Sequence, residues 1–259
     1  VEAIEGVTIH PATRDQYHLD IERGSGNNFP ELIADDLLEG DESPLAPILQ
    51  VVLTVLWKEA YHDDPRAPRF TVELYHKMKH NGTLMRGFFK LQMERLHVWR
   101  KEAIGSGLIL DVLYQHTTTL GTAKIVSREQ LHKIYSGREA TVNELIAACQ
   151  DCYLLVDDLR RGTSLTHNFL AAVVIGEFGA SVKPGQQAAR LLNSKIEEFR
   201  ADTKGIWLND TDLDIVETGK EGMRTLDAGE ERLLQISREH KAQRERDRRR
   251  NRVIRNVLV

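Results

Sequence analysis

The stretch from residue 106 to residue 170 constrains the fold of this chain most. After an apolar helical segment come two potential capping boxes, Ser127–Gln130 and Thr141–Glu144. In a capping box a hydroxyl and a Gln or Glu three residues later satisfy free amides at the start of a helix. A strand-like run follows at Tyr153–Asp157, and a turn leads to a second strand at Ser164–Thr166. Three helices followed by a β-hairpin predict a winged helix.

The residues before this stretch predict further helices. Ser43 can cap a helix, and Pro44 can occupy its first position, where the missing N–H costs nothing. This helix is apolar nearly all round, so we expect it to be buried on most sides. A longer helix is predicted from about Thr83 to Ala103. The sequence therefore predicts a helical domain ahead of the winged helix.

The residues after position 180 are also predicted to be mostly helical. One helix is expected at 183–201, and a polar stretch without a clear pattern follows to about Arg224. The last helix is expected to open at Asp227, which with Glu230 forms another capping box. Its apolar stripe then gives way to the basic run Lys241–Arg252. That run either contacts nucleic acid or anionic lipid, or forms a solvated helix that leads into a further domain.

Composition excludes several classes of protein. The 259 residues carry a net charge of only −4, so the whole chain has no strong attraction to polyanions. Its two cysteines, Cys149 and Cys152, are too few for a disulfide framework, which makes a cytoplasmic protein the default expectation. The longest apolar run, around Ile48–Trp57, is far shorter than the roughly 20 residues that span a bilayer. Because the first residue is valine, we expect a fragment or a processed product.

No catalytic residue and no metal site are predicted. The chain has no G-x-x-x-x-G-K-[S/T] phosphate loop, so it is not expected to hydrolyse ATP by itself. Leu154–Asp158 has the pattern of an apolar strand followed by a magnesium-binding acid, but without a phosphate loop a strand of the wing is the better interpretation. Cys149 and Cys152 have no second pair to complete a zinc site, and His76 and His80 have no third ligand.

A lone histidine, His167, stands at the junction between the second predicted strand and the next helix. Such a histidine is often structural, but at a helix start it can also donate a hydrogen bond to an anion. A winged helix also raises the possibility of DNA binding. The predicted recognition helix offers Glu144 and Asp151, which oppose phosphates, while Arg160 and Arg161 at the wing tip favour them.

The order of two motifs resembles the C-terminal part of the ATPase module of STAND proteins, the signal-transduction ATPases with numerous domains, and most closely the bacterial members. In that family a helical lid follows an AAA+ core and carries a Leu-Pro-Leu-Leu-Gln-type motif, to which Leu45–Gln50 is similar. The following helix ends in Leu-Trp, as at Leu56-Trp57 here. A winged helix comes next and ends in Leu-x-His-[Asp/Glu]-x-Leu, to which Leu165–Leu170 is similar, with Asn168 in place of the acid. The tail, with Leu226–Glu231 ahead of an arginine-rich helix, is also similar.

The resemblance implies a nucleotide-binding role for two residues. Pro47 would pack on adenine, and His167 would contact the β-phosphate of ADP and hold the off state. The implied cofactor is ATP or ADP, with Mg²⁺ supplied by a nucleotide-binding core that this chain lacks. Asn168 leaves no carboxylate at its position to brace the off state.

The predicted architecture is mainly α. It comprises an AAA+-type helical lid (1–103), a winged-helix domain (104–180), a helical linker (181–225) and a charged basic helix (226–259) leading to a further C-terminal domain. The resemblance implies the nucleotide-sensing half of a STAND-type switch ATPase, which couples its ADP or ATP state to signalling or antiphage defence by oligomerisation. The implied partners are the upstream core, a downstream sensor domain and further copies of the protein; nucleic acid and membranes are not expected. The alternatives are a winged-helix DNA-binding regulator and a non-catalytic structural adaptor.

Overall fold

The computed structural model describes residues 1–9, 16, 18–24, 27–38, 45–80, 83–158, 161–201 and 205–257. Within these ranges the chain is mainly α, as predicted, and forms thirteen α-helices. They are α1 (Glu2–Ile9), α2 (Phe29–Leu38), α3 (Leu45–Asp63), α4 (Val72–His80), α5 (Thr83–Trp99), α6 (Lys101–Ser106), α7 (Leu108–Gln115), α8 (Arg128–Ile134), α9 (Glu139–Asp151), α10 (Asn168–Ala180), α11 (Pro184–Ala201), α12 (Asp210–Gly219) and α13 (Ala228–Val257). None of these helices has both the length and the apolar content that crossing a bilayer requires.

The described strands form three short two-stranded sheets. They are β1 (Asp20–Ile21), β2 (Arg23–Gly24), β3 (Asn27–Asn28), β4 (Arg69–Phe70), β5 (Leu155–Asp158) and β6 (Gly162–Leu165). β1 pairs with β4 in parallel, whereas β2–β3 and β5–β6 are antiparallel. The β5–β6 hairpin follows α7, α8 and α9 in the chain, in the predicted order.

The chain divides into two compact units. The first unit comprises residues 1–99, 116–127 and 146–175, and the second comprises residues 100–115, 128–145 and 176–259. The four-part division made from the sequence stays a prediction.

The core of the first unit is built from helices α1–α5 and the first and fourth strands. The ring of Phe29 on α2 lies 5.6 Å from that of Phe70 and 6.2 Å from that of Tyr75 on α4, in a tilted and an edge-to-face arrangement. On α3, Val52 and Leu56 are buried in the same core. Such a cluster removes large aromatic and aliphatic surfaces from water, which is the main favourable contribution to folding.

The prediction that α3 is buried on most sides fits only part of its described side chains, since Val52, Leu56 and Ala60 are buried but Glu59 and residues 61–63 are exposed. Gln50, Thr54 and Lys58 are exposed, each one turn after the last. The Thr54 hydroxyl donates to the carbonyl of Gln50 at 2.7 Å. The hydroxyl of this exposed stripe is thus hydrogen-bonded within the helix. The apolar residues on either side of the stripe pack against the core.

A glycine fixes the β5–β6 hairpin in the first unit. Gly162 has φ +133°, and a Cβ there would lie 2.2 Å from the carbonyl oxygen of Val126. The backbones of Val126 and Thr163 instead exchange hydrogen bonds at 2.8 and 3.0 Å. The buried His116 ring adds a hydrogen bond of 2.9 Å to the Thr163 hydroxyl. Only glycine lets the two backbones approach this closely, and the contact fixes the position of the start of β6.

The helix starts predicted from the two capping boxes have different outcomes. Ser127 directly precedes α8, as predicted, but α9 begins at Glu139, two residues before the expected cap Thr141. Gly137, with φ +83°, turns the chain after α8, and its N–H donates to the Glu139 carboxylate at 2.8 Å. Glu139, the first residue of α9, thus provides the carboxylate that accepts from the turn. Thr141 lies inside the helix and does not begin it.

The helix predicted at 83–103 is divided in two. Arg100, with φ −148° and ψ 86°, separates α5 from α6, and Gly107, with φ +97°, ends α6. A Cβ at Gly107 would lie 2.1 Å from the Oε1 atom of buried Gln186, whose side-chain amide donates to the Gly107 carbonyl at 2.9 Å. The glycine in this turn is therefore required both by its backbone conformation and by the close neighbour.

The second unit contains a helix that the sequence analysis missed. Asn209 caps α12 by accepting from the N–H of Asp212 at 2.9 Å, and Leu213 and Val216 bury one face of that helix. α12 packs on α11, where Gly219 lies so close to Ala188 that an added Cβ would be 2.4 Å from the alanine methyl. α11 itself begins and ends at Pro184 and Ala201, close to the predicted 183–201.

The predicted capping box at the start of α13 is confirmed in both directions. The N–H of Glu230 donates to the Asp227 carboxylate, and the N–H of Asp227 donates to the Glu230 carboxylate, both at 2.9 Å. Asp227 stands immediately before the first residue of α13, so local sequence determined this boundary.

Candidate functional site

His167 lies where β6 ends and α10 begins, in the first unit. Its carbonyl accepts a hydrogen bond from the N–H of Leu170 at 3.0 Å, which closes the first turn of α10. The preceding residue, Thr166, is buried; its hydroxyl donates to the Tyr153 carbonyl at 2.7 Å, and its N–H donates to the Leu154 carbonyl at 3.2 Å. These hydrogen bonds hold the backbone before and after His167. The Cα atom from which the imidazole extends therefore has a fixed position.

The His167 side chain is half-buried, and its surroundings disfavour the protonated ring. Burial lowers the pKa of His167 below its usual value, and the ammonium of Lys79 lowers this pKa further. A nearby like charge acts in this direction because imidazolium and ammonium repel each other. An anion bound beside both groups would remove that repulsion.

Lys79 is positioned by α2 and α4. Its ammonium donates to the Asp36 carboxylate at 2.7 Å, and the Tyr75 hydroxyl donates to the same oxygen at 2.8 Å. Tyr75 belongs to the buried core, and the Asp36 side chain is only 16% exposed. These bonds hold Lys79 near the junction that carries His167. We call Asp36, Tyr75, Lys79 and His167 the Lys79 cluster.

Sequence reasoning did not select Lys79. The residues noted nearby were His76 and His80, because their spacing resembled that of metal ligands. Lys79 lies one turn after Tyr75 on α4, so their side chains lie on the same face of the helix. This pair, together with the acidic residue Asp36 on α2, was the only pattern in the sequence that could have indicated the site. No local pattern links it to His167, because the two residues are far apart in the chain.

Pro47, the other predicted nucleotide contact, lies in the first turn of α3. Its side chain, with those of residues 45–48, is outside the described part, as are Ser43 and Pro44. The other end of the motif is anchored: Leu56 is buried, and the half-buried ring of Trp57 lies 5.7 Å from that of Tyr61. The adenine contact of Pro47 stays a prediction.

Asn168, which replaces the acid of the family motif, has a structural contact. Its side-chain oxygen accepts a hydrogen bond from the N–H of Ala123 at 3.1 Å. This bond ties the first residue of α10 to the segment that follows α7 in the chain. An amide oxygen is sufficient for it, so a carboxylate is not required to hold α10 here.

The thiols have the properties of structural residues. Cys149 is fully buried, and burial raises its pKa well above the usual value. Burial also raises the pKa of half-buried Cys152, although Arg95 partly opposes this. Thiols with raised pKa values are poor nucleophiles and poor metal ligands at neutral pH. Within the described ranges no group of three or more His, Cys, Asp or Glu residues is arranged to hold a metal ion.

Comparison of the chain with models of protein families, with curated proteins and with solved structures finds no match in any of the three. A functional assignment therefore depends on the motifs in the sequence and on the geometry of the Lys79 cluster.

Proposed function

We propose that this chain is the regulatory, nucleotide-sensing part of a STAND-type switch ATPase, in which His167 contacts the β-phosphate of ADP in the off state. The observation that carries the proposal is the place of His167. It is half-buried at the start of α10 and close enough to Lys79 for the ammonium to lower its pKa. The amides at a helix start, the ammonium of Lys79 and the imidazole of His167, which can donate a hydrogen bond, together favour a bound phosphate.

The order of elements supports the same assignment. The proposal assigns residues 1–103, with α1–α5, to the AAA+-type lid, and residues 104–180, with α7–α10 and the β5–β6 hairpin, to the winged-helix domain. Pro47 lies in the first turn of α3, where the resemblance expects the adenine contact. The sequence itself contains no phosphate loop, so Mg²⁺ and the other phosphate contacts are assigned to an upstream core.

In this proposal Lys79 is an additional phosphate contact. A phosphate oxygen between Lys79 and His167 would draw the imidazole toward its protonated form, because the anion outweighs the ammonium that now disfavours it. Asp36 keeps Lys79 oriented. When ADP leaves, the imidazole returns to its neutral form and the off state loses the phosphate contacts of Lys79 and His167. A ligand shifts such an equilibrium only through unequal affinity for the two states, and these two contacts provide the inequality.

The released state would exchange nucleotide and associate with further copies of the protein, which connects sensing to signalling or antiphage defence. The location is proposed to be the cytoplasm. The remaining partners are the upstream core and a C-terminal sensor domain of the same protein.

The test is a calorimetric titration of the intact protein, including its nucleotide-binding core, with ADP and Mg²⁺. His167→Ala is expected to weaken ADP binding about tenfold or more, since a hydrogen bond to a charged group contributes roughly 1.5–3 kcal/mol. The same variant is expected to raise spontaneous oligomerisation, measured by light scattering. The matched control is His97→Ala, which removes an exposed histidine of α5. Equal ADP affinity for wild type and His167→Ala would contradict the proposal.

The two alternatives give different results in the same study. Among the exposed residues described on α9 are Glu144 and Asp151, whose carboxylates would face phosphates unfavourably if α9 entered a DNA groove. A DNA-binding regulator would shift duplex DNA in a gel with strong salt dependence. A structural adaptor would bind neither ADP nor DNA.

A further inference from the structure

A buried polar network lies in the second unit and includes none of the residues assigned to nucleotide sensing. Its centre is Asp111 on α7, whose side chain is only 2% exposed. The hydroxyl of fully buried Tyr135, just after α8, donates to the Asp111 carboxylate at 2.7 Å. The charge and the backbone N–H of Arg224 lower the pKa of this carboxyl, and the next residue, Thr225, donates its N–H at 2.9 Å to the carbonyl of Ile134, which precedes Tyr135. A buried acid on one helix therefore holds the chain just ahead of α13.

The side chain of Arg224 continues the network into α13. Its guanidinium makes two hydrogen bonds, at 2.7 and 2.8 Å, to the carboxylate of Glu230, which is 1% exposed. Glu230 also accepts from the N–H of Asp227 and so completes the cap of α13. One carboxylate thus both neutralises a buried arginine and starts the last helix.

A second arginine holds the same segment from the other side. Arg138 donates to the carbonyl of Glu221 at 3.0 Å and to the carbonyl of Met223, whose side chain is fully buried. Gly222 fits closely as well, since an added Cβ would lie 1.9 Å from the Ser106 carbonyl oxygen. Close packing and charged hydrogen bonds do not permit small displacements of residues 221–224. This segment is therefore either docked as a whole or released as a whole.

α13 has a docked part and an exposed part. Arg238, Lys241 and Arg244 pair with Glu217, Asp214 and Asp210 of α12, so this part of the helix lies along the unit. From residue 245 to residue 251 every side chain is exposed, and so is Val253. At 1.5 Å per residue, the helix continues for about 20 Å after its last ion pair with α12.

We propose that the Asp111–Tyr135–Arg224–Glu230 network is a latch that couples the docking of α13 to the order of α7. The reason is that each buried group depends on the next. Removing one member leaves another charge buried without its partner, which costs far more than breaking an exposed ion pair. Loosening at one end must therefore loosen the other, because coupling between two sites is reciprocal.

The test is hydrogen exchange of the full chain without nucleotide, followed by mass spectrometry. Glu230→Gln is expected to speed exchange about tenfold both in the first turns of α13 and in α7, because opening free energies of the two segments fall together. Glu217→Gln, which breaks an exposed ion pair of α13, is the matched control and is expected to leave α7 unchanged.

A second variant approaches the latch from its other end. Tyr135→Phe removes only the hydroxyl and keeps the ring, so it preserves the packing even if Glu230→Gln does not fold. It is expected to speed exchange at the start of α13, although Tyr135 lies outside that helix. Unchanged exchange at α13 in Tyr135→Phe, or at α7 in a folded Glu230→Gln, would overturn the latch. Because no nucleotide is present, neither result depends on the function proposed for His167.

Discussion

The hydroxyl of Tyr135 donates a 2.7 Å hydrogen bond to the carboxylate of Asp111, and both side chains are buried. Burial raises the pKa of Asp111 from its ordinary value of 3.8 to about 6, against the opposing effects of Tyr135, Arg224 and Arg138. Burial and the neighbouring carboxylate raise the pKa of Tyr135 well above its usual value. The relationship has consequences for stability and for its dependence on pH.

The first prediction concerns stability against pH. An acid whose pKa is higher in the folded state binds more protons there than in the unfolded chain between pH 3.8 and about 6. The free energy of unfolding therefore falls as pH rises through this window, by about 3 kcal/mol from this group, and changes no further above it. Urea denaturation from pH 4 to pH 7.5 measures the effect.

Asp111→Asn should remove this contribution, whereas Asp151→Asn, which changes an exposed carboxylate, should keep it. The informative quantity is the difference in pH slope between wild type and each variant, since other carboxylates contribute their own slopes. Parallel profiles for wild type and Asp111→Asn would show that Asp111 titrates normally.

The second prediction concerns the hydroxyl of Tyr135. Tyr135→Phe should destabilise the protein by roughly 1.5–3 kcal/mol at pH 7, because the carboxylate loses a buried charged hydrogen bond. Tyr61→Phe, at a residue that is 50% exposed, should change stability by less than about 0.5 kcal/mol. Urea midpoints of the two variants test this, and equal midpoints would rule out a structural role for the bond.

The third prediction concerns His167 and Lys79. Lys79→Met should raise the pKa of His167, because it removes the ammonium that disfavours the imidazolium. The titration is followed by NMR of the histidine ring protons, with His167→Gln used to assign the signal. Lys58→Met, which removes an exposed lysine of α3, should leave the titration unchanged. A pKa that does not move in Lys79→Met would mean that the two groups do not interact.

The fourth prediction concerns two glycines with opposite outcomes. Gly222→Ala should destabilise by roughly 1–3 kcal/mol or more, because a Cβ would lie 1.9 Å from the Ser106 carbonyl oxygen. Gly176→Ala, inside α10 and with no atom within 4 Å of the added Cβ, should instead stabilise by up to about 1 kcal/mol. Thermal unfolding of both variants decides the point. Loss of stability in Gly176→Ala, or none in Gly222→Ala, would contradict this account of the packing.

Local sequence was sufficient wherever the signal and its effect lie within a few residues. Asp227 and Glu230 predicted the start of α13, and Ser127 predicted the start of α8. α12 was missed although Asn209 is a good cap, because its apolar face is short and the surrounding stretch is polar. The capping pattern predicted a start at Thr141, whereas α9 begins at Glu139, because the turn at Gly137 depends on a backbone conformation that this pattern does not reveal.

By itself the sequence predicted the mainly helical character of the chain, the bounds of α11, the starts of α8 and α13 and the strand–turn–strand order, because hydrogen bonds between near neighbours set these features. Only the tertiary structure decided that Lys79 lies near His167 and that Asp111 is a buried acid shared by Tyr135 and Arg224. These side chains come from distant parts of the chain, and their ionisation depends on how much water and which charges the fold leaves around them. No local pattern carries that information, since burial and charge proximity arise only when the helices pack.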